Sequence, residues 1–435
     1  MFKKFQDMFS IPELRKRILF TVALLVVYRV GSHITAPGVN PLALKVFFEN
    51  QQGTIFALYD LFAGGNLSRA TIFALGIMPY ISASIIMQLL QTVIPYFEKL
   101  AKEGEEGRKK ITQYTRYGTV LLSVVQAMGI SIFLLSMKPG GVSVVTMSPA
   151  TFRLLTVITM TAGTIFIMWL GEQISERGIG NGISLIIMIG ILARYPGYFL
   201  NTWRAIKLGQ ITAFRLVFLL LIMVGVVAAV ILITQGQRRI PVQYAKRIVG
   251  NKIYGGTSQY IPLRVNTAGV IPIIFARSIM MFPSTIAMFF KGSGTLDYIR
   301  TIFAPGTWLY LSIYGVIIIF FTYFYTAIIL NPTDMAENMK KYGGFIPGIR
   351  PGKRTSDYID RILTRVTLPG AIFLAFIAIL PDVLMRRGGL PFYFGGTGVL
   401  IIVGVLLDTL KQIETHLLMR HYDGFMKKGK LRGRR

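Results

Sequence analysis

Phe214-Arg-Leu-Val-Phe-Leu-Leu-Leu-Ile-Met-Val-Gly-Val-Val-Ala-Ala-Val-Ile-Leu-Ile-Thr234 is an apolar run whose one charge, Arg215, lies at its start. As a helix rising about 1.5 Å per residue, it spans a hydrocarbon core of roughly 30 Å. Comparable runs recur at 18–36, 70–94, 115–137, 152–173, 183–201, 266–290, 308–330, 366–385 and 395–415. Of the 435 residues, 53% are apolar, and the mean hydropathy is +0.57. That is too hydrophobic for a soluble globular chain of this length. The sequence therefore predicts an all-α integral membrane protein of ten transmembrane helices.

The formal charge is +28, although only 15% of residues are charged. The N-terminus, 95–116, 174–182, 235–265, 331–365 and the C-terminus, with Lys411 at the end of the last run, hold 33 Lys and Arg; the opposite loops, with Arg153, Arg194 and Arg215 at the adjoining ends of runs, hold 12, and Arg29 and Arg277 fall deeper inside spans. This asymmetry places both termini in the cytoplasm, as an even number of spans requires. Phe2-Lys3-Lys4 leads into a polar interfacial stretch and then a full-length span, so no cleavable signal is expected. A polar connection at 194–213 separates residues 1–200 from 201–435, with five spans in each half. An odd number per half makes the halves candidates for inverted repeats, with a hinge between them.

The chain has no cysteine and only three histidines, which excludes disulfides and thiolate chemistry and leaves little for a metal site. Gly178-Ile-Gly-Asn-Gly182 lacks a flanking strand and reads as a tight turn between helices, and no Gly-Lys-Ser/Thr phosphate loop occurs. No enzymatic activity, cofactor or metal is expected. A secondary transporter remains the rival class. It usually carries an ionisable group near the midplane, whereas Glu172, Asp382, Asp408 and Glu414 all lie towards span ends.

Ile55-Phe-Ala-Leu-Tyr-Asp-Leu-Phe-Ala-Gly-Gly-Asn-Leu-Ser68 is apolar but too short to cross. It is either an external amphipathic helix or a re-entrant segment serving as a movable stopper, with Gly64, Gly65 and Asn66 as a break after it. Ile77 and Ile81 stand one turn apart, as do Ile183 and Ile187. Such pairs pack against protein or lipid, or form an apolar collar that holds back water by dewetting. Arg277 either pairs with a neighbour or snorkels, or it serves a pore or gate.

The two long basic loops favour partner docking over topology alone. One carries Arg238, Arg239, Lys246, Arg247, Lys252 and Arg264. The other carries Lys340, Lys341, Arg350, Lys353, Arg354, Arg361 and Arg365. Their Gly and Pro content predicts an ordered, turn-rich platform rather than a helix.

Gly64-Gly-Asn-Leu-Ser-Arg-Ala-Thr-Ile-Phe-Ala-Leu-Gly-Ile-Met-Pro-Tyr-Ile-Ser-Ala-Ser-Ile-Ile86 resembles the plug and second helix of the SecY family, the central channel subunit of the Sec protein translocase. Glu105–Tyr117, Trp169–Ser184, Val265–Pro272, Gly344–Gly352 and Pro391–Thr397 match collinearly, from about residue 12 to the C-terminus. The resemblance implies two pseudo-symmetric inverted five-helix halves around an hourglass pore, with a short plug helix at about 55–67. Its pore ring maps onto Ile77, Ile81, Ile187, Ile274 and Ile401, and its plug onto Leu58, Leu61, Phe62, Gly64 and Gly65. A lateral gate between 70–94 and 266–290 carries Ser82, Ile86, Asn266 and Val270, and opens towards membrane lipid. Arg238, Arg239, Lys246, Arg247, Lys252, Arg350, Lys353 and Arg354 would dock the ribosome or the SecA motor ATPase. SecE and SecG are the implied small subunits, and signal peptides and nascent polypeptides the implied cargo, at the cytoplasmic (inner) membrane. The sequence departs from the family pattern at His33, Thr35, Asn251 and Arg277, the last standing where small residues are common.

Overall fold

Each of the ten apolar runs contains a helix in the computed structural model, which describes residues 11–41, 43–44, 60, 63–137, 143–209, 212–244, 247–249, 252–254, 258–289, 307–388 and 396–428. The described helices are α1 (Pro12–Gly31), α2 (Met78–Val93), α3 (Pro95–Lys102), α4 (Glu105–Leu135), α5 (Pro149–Arg177), α6 (Gly182–Leu192), α7 (Tyr195–Lys207) and α8 (Ala213–Gln235). They continue as α9 (Ile271–Phe289), α10 (Trp308–Ile329), α11 (Pro332–Lys341), α12 (Lys353–Gly388) and α13 (Gly396–Lys428). Among the described residues, five helical stretches are long and apolar enough to cross a membrane, or six if the bent pair α2–α3 is one span. Leu121, Leu154, Ile158, Val316 and Phe376 stand exposed on them. Apolar surface of this extent is solvated by a bilayer rather than by water.

Local chemistry sets the boundaries. The run at 70–94 becomes helical only at Met78, because Gly76 turns at φ +58° and Pro79 opens the first turn. At the other end Ile94 is extended before Pro95, as a residue preceding proline prefers, and the chain bends by 98° into α3. Helix α4 starts ten residues before the expected span (115 − 105), with Glu105 and Glu106 in its first turn, where carboxylates favour the helix N-terminus. Asn181 caps α6 by accepting from the Ser184 amide at 3.1 Å.

The chain forms two compact units. The first comprises Met1–Asn201, Met281–Pro305 and Val405–Arg435; the second comprises Thr202–Met280 and Gly306–Gly404. In the first, a core of Leu44, Leu67, Ala70, Leu75, Leu134, Phe152 and Met160 joins the segment before α2 to α4 and α5. The turn from α5 to α6 is tied down by side chains. The Ile179 amide donates to Thr21 Oγ1 (3.0 Å), Gly180 to Gln412 Oε1 (3.0 Å) and Gly182 to Ser175 Oγ (2.9 Å). A Cβ at Gly182 would stand 2.0 Å from the Gly171 carbonyl oxygen, so this turn is built from glycine for close packing.

The second unit corrects the expected loops. Residues 235–265 hold a hairpin of β1 (Gln237–Tyr244) and β4 (Ser258–Arg264), with β2 (Arg247–Val249) paired to β3 (Lys252–Tyr254) between them. A short β5 (Gly344–Phe345) adds to β1 at Gln243 and Tyr244. Within 331–365 only 342–352 is turn-like. Asn331 caps α11 through the Thr333 amide (3.0 Å), and Lys353 already begins α12. Ile240, Val242, Leu263, Met339, Ile346, Ile359 and Leu363 form a separate core beneath the hairpin.

Candidate functional site

In the first unit, the chain entering α2 is buried protein rather than a surface helix. Asp60 and Ala63 through Leu67 are all buried. Asp60 pairs with Arg194 at the end of α6, and its Oδ1 accepts from the Ser68 amide at 2.8 Å. Asn66 Nδ2 donates to the Tyr28 hydroxyl at 3.3 Å. Gly64 adopts φ +71°, and a Cβ there would lie 2.9 Å from Gly190 Cα. On the other side, a Cβ at Gly76 would lie 3.1 Å from Ala63 Cα. Ala63 and Gly64 thus lie against two backbones, one adjoining Ile77 and the other three residues beyond Ile187. Leu58, Leu61 and Phe62 lie outside the described residues.

Ile77, Ile81 and Ile187 are buried at 2, 4 and 2% exposure. The Ile81 amide donates to the Ile77 carbonyl at 3.1 Å, which places the two one turn apart. Ile183 turns instead towards α5, near Gly171. On α2, Ser82 is half-buried and Ile86 exposed.

In the second unit, Ile274 and Ile401 are buried. Asn266 is buried and donates to the Gly269 carbonyl at 3.2 Å. Val270 fills the space over Gly404, where a Cβ would meet its Cγ1 at 2.4 Å. Arg277 is 1% exposed and does not snorkel. Its Nη1 donates to the Tyr310 hydroxyl at 2.9 Å and lies 3.7 Å from Asp382 Oδ2. The guanidinium sits 5.1 Å from the centre of the Tyr314 ring, within cation–π range.

The hairpin presents Arg238 and Arg239 to solvent, while Ile240 and Val242 of the same strand are buried. Arg350, Lys353 and Arg354 are exposed where the turn region meets α12. The Arg350 carbonyl accepts from Thr355 Oγ1 at 3.0 Å, which fixes that corner. Arg247 and Lys252 fall on β2 and β3; Lys246 lies outside the described residues.

The family model named SecY matches residues 71–410. This chain belongs to the SecY family. Protein translocase subunit SecY of Aquifex aeolicus (strain VF5) is 45% identical over 423 residues, covering 97% of this chain and 98% of that one. The Escherichia coli (strain K12) subunit of the same name is 46% identical over 427 residues, with 98% and 96% covered. Among solved structures, that of a protein conducting channel matches with a TM-score of 0.63 at 19% identity, over 92% of each chain. Sec61 in the canine ribosome-channel complex from the endoplasmic reticulum matches with 0.60 at 18%, also over 92% of each. At these identities the likeness is one of fold, and the fold is that of protein-conducting channels. As a SecY-family chain, the protein is a multi-pass membrane protein and a channel subunit.

Sequence reasoning missed the Asp60–Arg194 pair and, for Arg277, gave pairing with a neighbour as one alternative without naming Asp382. The signal was available. Asp60 is the one acidic residue between Glu49 and Glu98, within an apolar stretch, and Arg277 lies inside a span. A charge in such a place needs a partner.

Proposed function

We propose that the chain is the pore of a translocase that passes secretory polypeptides across the cytoplasmic membrane and releases transmembrane segments sideways into its lipid. The observation that carries this reading is the lodging of Ala63 and Gly64 against Gly76 and Gly190, beside Ile77 and Ile187. A buried segment next to two of the constriction isoleucines is where a plug must sit to close a pore.

In this reading Ile77, Ile81, Ile187, Ile274 and Ile401 form the collar. Branched, uncharged side chains exclude water by dewetting, yet hold no passing sequence because they offer it no hydrogen bond. The plug, with Leu58, Leu61, Phe62, Gly64 and Gly65, adds a second barrier at rest. Docking of SecA or the ribosome on Arg238, Arg239, Lys246, Arg247, Lys252, Arg350, Lys353 and Arg354 starts the opening. Signal-peptide insertion at the gate faces of Ser82, Ile86, Asn266 and Val270 completes it. The halves 1–200 and 201–435 part about their connection, steadied by SecE and SecG. The chain catalyses nothing itself, and the driving energy comes from the docked partner. Both termini lie in the cytoplasm.

Because the chain contains no cysteine, a single Ile187→Cys is a clean probe. It should form a disulfide with a cysteine-bearing secretory chain arrested midway, only in the presence of the driving partner. Absence of that crosslink, with the same chain efficiently translocated, would place the pore elsewhere.

A further inference from the structure

The pair formed by Arg277 and Asp382 is buried on both sides, at 1 and 3% exposure, between segments of α9 and α12. An arginine inside a membrane helix is expensive and persists only with partners. Here the partners lie on two other helices: Tyr310 and Tyr314 on α10, and Asp382 on α12, directly after the helix-internal Pro381. Helices α10 and α12 pack along each other over much of their length, whereas no pairing of comparable extent involves α9 among the described residues. The described part of α9 is itself packed, with Ile273, Ile274, Phe275, Ala276 and Met280 all buried, and that apolar packing is joined by directional contacts. Phe275 meets Phe321 and Tyr325 edge-on at 5.8 and 5.7 Å, and Arg277 supplies the polar contacts. The same turn of α9 carries Ile274, three residues before Arg277.

We propose that Arg277 and Asp382 are a positioning pair for channel opening, an electrostatic rivet that makes α9 move as one body with α10 and α12. The inference rests on the proposed function, in which α9 is one wall of the lateral gate. A helix held by apolar packing alone can slide or tilt against its neighbours when pushed, because such packing is not directional. Riveted, it can part from the opposite wall only by carrying two more helices with it. The pair therefore raises the threshold for opening and keeps Ile274 in register. Arginine suits the task because its planar, weakly hydrated guanidinium can lie over the Tyr314 ring while Nη1 meets Tyr310 and Asp382, whereas a lysine ammonium is a compact, strongly hydrated point charge.

The test uses the complete complex in proteoliposomes, with and without an intact signal sequence on the cargo. Arg277→Gln and Asp382→Asn should each raise translocation of a signal-defective cargo by about tenfold, equivalent to ~1.4 kcal/mol. A gain of this kind is not what a merely destabilised protein produces. The double variant Arg277→Gln/Asp382→Asn should fall short of the product of the two single effects, because each single change leaves one buried charge behind and the double leaves none. Where Arg277→Gln fails to accumulate, Arg277→Lys should relax signal dependence in the same direction by a smaller factor. Variants that keep the parent's signal dependence in an active complex would overturn the rivet alone. So would single effects that multiply independently. A parent complex that moves no cargo would sink the channel reading and this proposal together.

Discussion

Replacing Arg194 by Gln should open the resting channel to ions. Asp60 is 2% exposed and Arg194 22%, so the substitution leaves a nearly buried carboxylate whose described contacts reduce to the Ser68 amide. Removing one partner of a fully buried pair costs ~3–5 kcal/mol. Because Arg194 is partly open, water recovers some of this, and ~2 kcal/mol is a fair expectation. Every ~1.4 kcal/mol is tenfold, so the ratio of seated to displaced plug should fall about thirtyfold. The assay is anion efflux from proteoliposomes holding the reconstituted complex without motor or cargo. Asp60→Asn is the control. It removes the charge but keeps an oxygen for the Ser68 amide, so its leak should be smaller. Adding Asp60→Asn to Arg194→Gln should reduce the leak of the latter. A parent-like Arg194→Gln channel, or a double variant leakier than either single, would refute the latch.

Gly64→Ala should also raise resting leak, and without altering charge. It places a Cβ at φ +71° and 2.9 Å from Gly190 Cα, a strain of ~1–3 kcal/mol; unchanged efflux would mean that the segment sits elsewhere. Ile81→Gly and Ile187→Gly should leak more still when combined, since both shorten the proposed collar, and single-channel conductance in planar bilayers reads this directly. Arg350→Glu should weaken binding of the docking partner at least tenfold, ~1.4 kcal/mol, while leaving resting efflux at the parent level. A loss of both together would point to a structural role for that corner instead.

The membrane class was legible because ten apolar runs need no tertiary context to be seen. The ends of those runs were less so. Nothing in the composition of 70–94 says that Gly76 will turn left-handed, and that turn shortens the helix to Met78–Val93. The hairpin was hidden by Pro241 and Pro262, which ordinarily demote a strand. Both are tolerated at open edges: among the described residues, β5 reaches β1 only at Gln243 and Tyr244, and β4 pairs only with β1. The alternation of Arg239, Ile240, Pro241, Val242 and Gln243 was the period-two signal that pointed to it. That Asp60 and Arg277 need partners was legible, but which residues those partners are was hidden for a different reason. Asp60 and Arg194 are 134 positions apart, and no local pattern reports a contact made across that distance.

The two pairs differ in kind from the isoleucines, and the difference follows from what each group must do. A side chain that meets every passing polypeptide cannot be directional, because a hydrogen-bond donor or charge at the constriction would bind some sequences and stall them. Parts of the channel that must rest in one place face the opposite demand. Asp60 meets Arg194, and Arg277 meets Tyr310 and Asp382. These contacts have defined geometry, so displacement loses them over a short distance, whereas apolar packing permits sliding. In a low-dielectric interior such contacts are strong when made and costly when half-made, which is the behaviour of a latch with two states. On this argument, changing a latch residue should alter how often the channel opens while the conductance of each opening stays constant. Changing a collar residue should alter the conductance itself. Single-channel records separate the two, and a latch variant that widened the open level would defeat the distinction.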